Sequence, residues 1–242
     1  MNSCHIVDLG RMGFTEAFAL QKRLVAARKA DAIGDVLLLC EHPHVITLGR
    51  SGSREHLLAS EGVLQQKGVE FHTTNRGGDV TYHGPGQIVG YPVLDLDAIR
   101  RDVVWYVRML EEVMIRTCAD FGVAAGREVG KTGVWVDQDA NREAEKIGAI
   151  GVHISRWVTS HGFAFNVGTD LRFFDLIVPC GIPGRAATSL EKVLGRRMEP
   201  SEAAPRLVQH FGQVFGLEMR NATRDDLAGS LQRFEQPAAI PA

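Results

Sequence analysis

"KIGAIGVHISRWVTSHGFAFNV", residues 146 to 167, contains two strand-like runs, "KIGAIGVHI" and "SHGFAFNV", with no helical stretch between them. A third run, "TGVWVD", comes shortly before. Strands in unbroken succession argue for a largely antiparallel or mixed sheet, not a doubly wound parallel one. Upstream, "HIVDL" opens the chain as a short strand, and "VEFHTT" (69–74) and "IVGYPVLDL" (88–96) add two more. The β-rich runs "VLLLC" (36–40) and "VITLG" (45–49) flank His42-Pro43-His44, which predicts a hairpin or a tight connection.

Helices separate these groups of strands. Residues 14 to 29 form an amphipathic helix with Phe14, Phe18 and Val25 on one face. In residues 102 to 121, Val103, Val107, Leu110, Met114, Cys118 and Phe121 recur at steps of three or four, and Gly122 supplies a C-cap. Shorter helices are expected at "LRFFDLI" and "SLEKVLG", and a final one at "SEAAPRLVQHFGQVF". The expected fold is α+β: a single domain over residues 1–234 with a mixed, largely antiparallel sheet packed by helices. Pro237 and Pro241 mark residues 235–242 as a disordered tail.

Composition narrows the function. At 242 residues the chain buries enough surface to need no disulfide or metal staple. A net charge of -2 gives no global basic field for nucleic acid. Cys4, Cys40, Cys118 and Cys180 form no C-x-x-C pair and suit a reducing compartment. The N-terminal residues lack the pattern of a secretory signal, and no apolar run reaches the roughly 20 residues of a membrane helix. The expectation is a cytoplasmic, soluble protein with no membrane or nucleic-acid partner.

The densest chemistry lies in "RGGDVTYHGPGQIVGYP", residues 76 to 92. Its glycines allow a ligand close to the backbone, and Arg76, Asp79, Thr81, Tyr82, His83 and Gln87 supply polar groups, so it reads as a binding loop. It fits neither a P-loop nor a dinucleotide-binding turn. Lys146 begins an apolar strand and reads either as a solvated lysine or as a cation beside a thiol. Cys118 and Cys40 sit in apolar runs and belong to the core, while Cys4 lies at a mobile terminus. Cys180 sits between Pro179 and Gly181 with Arg185 close by, a setting for either an activated thiol or an incidental one. His83, His153 and His161 compete as bases, and no histidine or cysteine spacing suits a metal.

Four stretches, "RGGDVTYHGPGQIVGYPVLDL", "KIGAIGVHI", "SHGFAFNV" and "PCGIPGRAATSLE", taken together resemble the lipoyl(octanoyl) transferase family. The resemblance implies a fold related to the catalytic domains of biotin and lipoate protein ligases. It places the nucleophile on Cys180 and the lysine that lowers the thiol's pKa on Lys146. It places acyl binding on Arg76, Gly77, Gly78, Asp79, Val80, Thr81, Tyr82 and His83. Further acyl-binding positions fall on Ala149, Ile150 and Gly151, and on Gly162, Phe163 and Ala164. The implied reaction moves an octanoyl group from octanoyl-acyl carrier protein, which carries it on phosphopantetheine, to a lysine of a lipoyl domain. Such domains belong to 2-oxoacid dehydrogenase acyltransferase subunits and the glycine cleavage H protein. No ATP, metal or other cofactor is implied, and the chain is expected to act as a monomer. Oxyanion donors are expected near Gly181 or in the Gly77-Gly78 turn, and carrier contacts at Arg50, Arg54, Arg76 and Arg185.

The chain departs from the family pattern at His153, where arginine is usual, at Gly148 and Val178, and in a longer loop over residues 137 to 145. An ATP-dependent ligase on the same scaffold is the rival reading, yet the G-R-G-R-x-G loop of biotin ligases is absent. A non-catalytic carrier-binding protein and a Cys-His hydrolase are the other two.

Overall fold

The run "VLLLC" is apolar at every position because the strand it forms is covered on both faces. In the computed structural model, which describes residues 2–137, 143–178 and 186–236, Val36, Leu38 and Cys40 face one hydrophobic cluster. Leu37 and Leu39 face another, the period-two alternation of an extended chain.

The strands are β1 (Asn2–Arg11), β2 (Asp35–Glu41), β3 (Val45–Leu48), β4 (Glu70–Thr73), β5 (Val80–His83) and β6 (Gln87–Val93). They continue as β7 (Ala125–Glu128), β8 (Lys131–Val136), β9 (Glu145–Ser155), β10 (Val158–Asn166) and β11 (Leu217–Asn221). Eight form one sheet in the order β11-β1-β2-β6-β10-β9-β8-β7, and the other three form a small sheet, β4-β3-β5. Only the β11–β1–β2 edge of the large sheet is parallel, so the mixed, largely antiparallel expectation holds.

The helices are α1 (Phe14–Lys29), α2 (Glu61–Gln66), α3 (Leu96–Ile99), α4 (Val103–Asp120), α5 (Leu190–Leu194), α6 (Pro200–Phe215) and α7 (Arg224–Glu235). Helices α4 and α6 pack together over one face of the large sheet, around Leu110, Met114, Leu207 and Phe211. Helices α1 and α7 cover the other, around Leu24, Leu227 and Leu231. The small sheet has its own core of Ile46, Val80, Tyr82 and Ile177. Among the described residues no helix is long and apolar enough to cross a membrane.

Several expectations need correction. Of the two readings of residues 42–44, the tight connection holds and the hairpin does not: β1 and β6 occupy both edges of β2, and the chain through His42-Pro43-His44 passes into the small sheet. Residues 76 to 92 are not one loop, because β5 and β6 lie within them in different sheets. Cys4 is fully buried in β1, at no mobile terminus. The helix of "SEAAPRLVQHFGQVF" is not the last, since β11 and α7 follow it.

Only Leu227 and Leu231 of α7 are buried, too thin an apolar stripe to stand out in sequence. Its start is fixed by Thr223, whose hydroxyl accepts from the Asp226 N–H. Of the expected tail, Glu235 ends α7 in a two-bond ion pair with Arg23, and residues 237–242 lie outside the described residues.

Candidate active site

Where β9 and β10 pair, Gly151 faces Gly162, Ile150 faces Phe163, and Ala149 faces Ala164. The two triplets expected to bind an acyl group are thus one patch of neighbouring strands. Small residues there let other backbone approach. A Cβ on Gly162 would lie 2.1 Å from the Gly90 carbonyl oxygen, and one on Gly151 would lie 2.8 Å from that of Gly77. The Gly77 N–H in turn donates to the Val152 carbonyl at 2.8 Å, which ties the glycine-rich turn to β9.

A cavity of about 460 Å³ opens between this patch and the small sheet, within the range of small-molecule sites. Val89, Tyr91, Phe163 and Phe14 make part of its wall apolar. Arg76, Gly78, Asp79, Val80, Thr81 and His83 also line it, with Lys146 at the wall. Gly77 and Tyr82 do not line it. Tyr82 points to the other face of β5, stacked on Phe173, with its hydroxyl 2.8 Å from His44 Nδ1. As the Gly77 N–H is taken by Val152, the turn's oxyanion donor is not that group.

Arg76 is also not a surface contact for a carrier protein. It is 8% exposed, and its guanidinium donates to the Thr47 carbonyl at 2.7 Å and to the Gly77 carbonyl at 3.0 Å. That buried charge shapes the histidines beside it. His83 has its pKa lowered to about 3, chiefly by burial, with His42, Arg76 and His161 adding to the effect. His161 is lowered to about 3 by burial, then by Arg76, His153 and Lys22. Gln87 donates through Nε2 to the Tyr82 carbonyl and to Asn166 Oδ1, so its carbonyl oxygen accepts from His83 Nδ1 at 2.8 Å. His83 is therefore neutral with its proton on Nδ1. His153, lowered by burial and by Arg50 and Lys29, stands on β9 opposite Ser160.

A histidine held neutral in the fold but charged when unfolded destabilises the fold in acid. Below the ordinary value of 6.5 the unfolded chain binds protons that His83 and His161 refuse until about pH 3, so stability falls as pH drops through that window. Denaturant unfolding across this range is expected to give a falling curve that His161→Asn flattens. Asparagine suits the substitution because His161 has φ +53°. An identical slope in the variant contradicts this assignment.

Lys146 lies near the start of β9, where the register with β8 shifts between Val134 and Trp135. Its ammonium donates to the Thr132 carbonyl at 3.1 Å and sits 4.5 Å from the Trp135 ring centre. The Gly133 N–H, in the same peptide group as that carbonyl, donates to Glu111 Oε1 at 3.0 Å. Glu111 is a fully buried carboxylate of α4 that also accepts from Arg108 and Arg127. Sequence reasoning missed Glu111. The available signal was its position seven residues before Cys118, on the buried face of α4.

Cys180 and Gly181 lie outside the described residues, as do Pro179 and Arg185. The chain on either side is anchored at the cavity. The Val178 N–H donates to the His56 carbonyl at 2.8 Å, and Ile177 bridges Leu57. Downstream, the Lys146 N–H donates to the Ala186 carbonyl at 3.0 Å and the Thr188 N–H to the Lys146 carbonyl at 2.9 Å. Asn166 donates to the Thr188 carbonyl, which extends the His83–Gln87 network to this anchor. The other cysteines are buried, and burial raises the thiols of Cys4 and Cys40, and that of Cys118 to about 12. Among the described residues no group of three His, Cys, Asp or Glu side chains is placed to hold a metal.

The profile of the family described as "Lipoyl protein ligase A/B catalytic domain" matches residues 14–212. The chain is 52% identical over 219 residues to an octanoyltransferase of Solibacter usitatus, covering 90% of this chain and 96% of that one. It is 53% identical over 224 residues to an octanoyltransferase of Acidobacterium capsulatum, covering 88% and 90% respectively. Among solved structures, a bi-partite lipoate protein ligase of Thermoplasma acidophilum superposes with TM-score 0.73 at 15% identity, over 97% of this chain and 92% of that one. A lipoate-protein ligase A bound with ATP gives TM-score 0.72 at 16% identity, over 97% and 94%. At such identities these two structures establish the shared fold alone. The match over residues 14–212, together with half-identical relatives over nearly the whole chain, makes this protein a member of the lipoyl protein ligase A/B catalytic domain family.

Proposed function

We propose that this protein is an octanoyltransferase that moves an octanoyl group from acyl carrier protein to a lysine of a lipoyl domain, through a thioester on Cys180. The observation that carries this reading is the partly apolar cavity with Lys146 at its wall, flanked by the two anchors of the segment that holds Cys180. At about 0.8 kcal/mol per buried CH₂, an eight-carbon chain gains several kcal/mol from such a wall.

A carrier thioester is already activated, so the transfer proceeds without ATP. The Cys180 thiolate, favoured by the Lys146 ammonium, attacks the thioester carbonyl. The C–S bond to the carrier breaks, and the leaving thiolate takes a proton from Lys146, which is left as a neutral amine. The lysine of the lipoyl domain then attacks the acyl-enzyme to give an amide. Thiol-to-thiol exchange is nearly isoenergetic, which suits a cysteine to the relay, and amide formation makes the second step favourable.

Initial rates measured against both substrates without ATP are expected to give parallel double-reciprocal lines, the pattern of a ping-pong enzyme. Intersecting lines, or a requirement for ATP with free octanoate, contradict the proposal.

A further inference from the structure

Forming an amide from a protonated lysine removes two protons from one nitrogen. The acceptor arrives as an ammonium with three N–H bonds, and the product amide keeps one. Lys146, left neutral by the first half-reaction, has room for one of the two. A second acceptor has to take the other before or during attack.

His83 and His161 line the same cavity, but each is held near 3 and would shed a proton at once. His56 is differently placed. It lines the cavity with its side chain 31% exposed, and its carbonyl holds the Val178 N–H, two residues before Cys180. Its Nδ1 lies 2.5 Å from Oδ2 of Asp79, a cavity-lining carboxylate only 10% exposed. The main chain of Asp79 is fixed in turn, its carbonyl accepting from the Gly49 N–H at 3.2 Å. A carboxylate on Nδ1–H holds the ring in the tautomer whose lone pair lies on Nε2, the atom free to take a proton. Its other oxygen, Oδ1, is buried with no hydrogen-bond partner among the described residues.

We propose that His56, oriented by Asp79, is the second proton acceptor of the transfer to lysine. This rests on the octanoyltransferase reading. The incoming ammonium gives one proton to His56 Nε2, and the neutral amine attacks the acyl thioester. The C–N bond forms, the C–S bond breaks, and Cys180 leaves as a thiolate. The remaining proton passes to the neutral amine of Lys146, which restores the starting thiolate–ammonium pair, and His56 returns its proton to solvent.

The two half-reactions separate the possibilities. In single turnovers, His56→Gln is expected to slow deacylation by a lipoyl domain about 10- to 100-fold more than it slows acylation by octanoyl-acyl carrier protein. Hydroxylamine, already neutral at the assay pH, sheds one proton on acylation and not two. Deacylation by hydroxylamine is therefore expected to proceed at the wild-type rate in the variant. Asp79→Asn is expected to show the same selectivity with a smaller loss. Equal slowing with both nucleophiles would make His56 a structural residue and overturn the proposal. Wild-type deacylation of His56→Gln by the lipoyl domain would assign the second proton to water and overturn it equally. If the wild-type protein itself forms no acyl-enzyme, the thioester reading fails and takes this proposal with it.

Discussion

Cys180→Ala is expected to abolish octanoyl transfer, with a loss of at least about 10³-fold in kcat/KM. No other cysteine replaces it. Cys4, Cys40 and Cys118 are buried, and burial raises their thiols away from the thiolate form. The folded state should be retained, because the carrier thioester is attacked by one atom and the cavity walls belong to the strands around it. Transfer assays with the purified variant, alongside its melting curve, check both parts. Residual transfer at more than a few per cent would mean direct attack by the lipoyl-domain lysine on the carrier thioester.

Lys146→Ala is expected to lower the rate by about 10²- to 10⁴-fold, the range of a lost general acid–base group. The fall should be in kcat more than in KM, since the role proposed for the lysine concerns protons and not the acyl chain. Lys146→Arg divides its two tasks. Arginine keeps a positive charge near the thiol but cannot give up a proton, so reaction of the thiol with iodoacetamide should recover while transfer stays low. Recovery of both in the arginine variant would reduce Lys146 to a fixed charge.

Much of the fold was legible in the chain's periodicities. The 3.6-residue pattern places α1 and α4 within a residue or so of their observed bounds, and the runs around residues 131 to 167 emerge as β8, β9 and β10. What periodicity does not carry is which strands meet. β2 and β3 look like two arms of a hairpin because they are close in sequence, whereas the edges of β2 are filled by β1 and by the distant β6. Strand β11 pairs with β1 from more than two hundred residues away, so nothing local announces either β11 or the role of Cys4 in the core.

The site was legible in part. The family resemblance put acyl-binding triplets on the runs that become β9 and β10, and their register sets those triplets side by side. Tyr82 was misplaced, because alternation along β5 sends it into the small sheet's own core while Thr81 and His83 turn to the cavity. Glu111 and His56 gave no signal for a common reason: each is bonded to a residue remote in sequence, Gly133 for one and Asp79 for the other. A single buried carboxylate on an amphipathic helix is visible as an anomaly, but its partner is visible only in the fold.

The most direct test is an intact mass of the protein after brief incubation with octanoyl-acyl carrier protein, without ATP, followed by an acid quench. One added octanoyl group is expected, mapping to Cys180 and disappearing when a lipoyl domain is supplied. An unmodified protein that octanoylates the domain only when given free octanoate and ATP would contradict it.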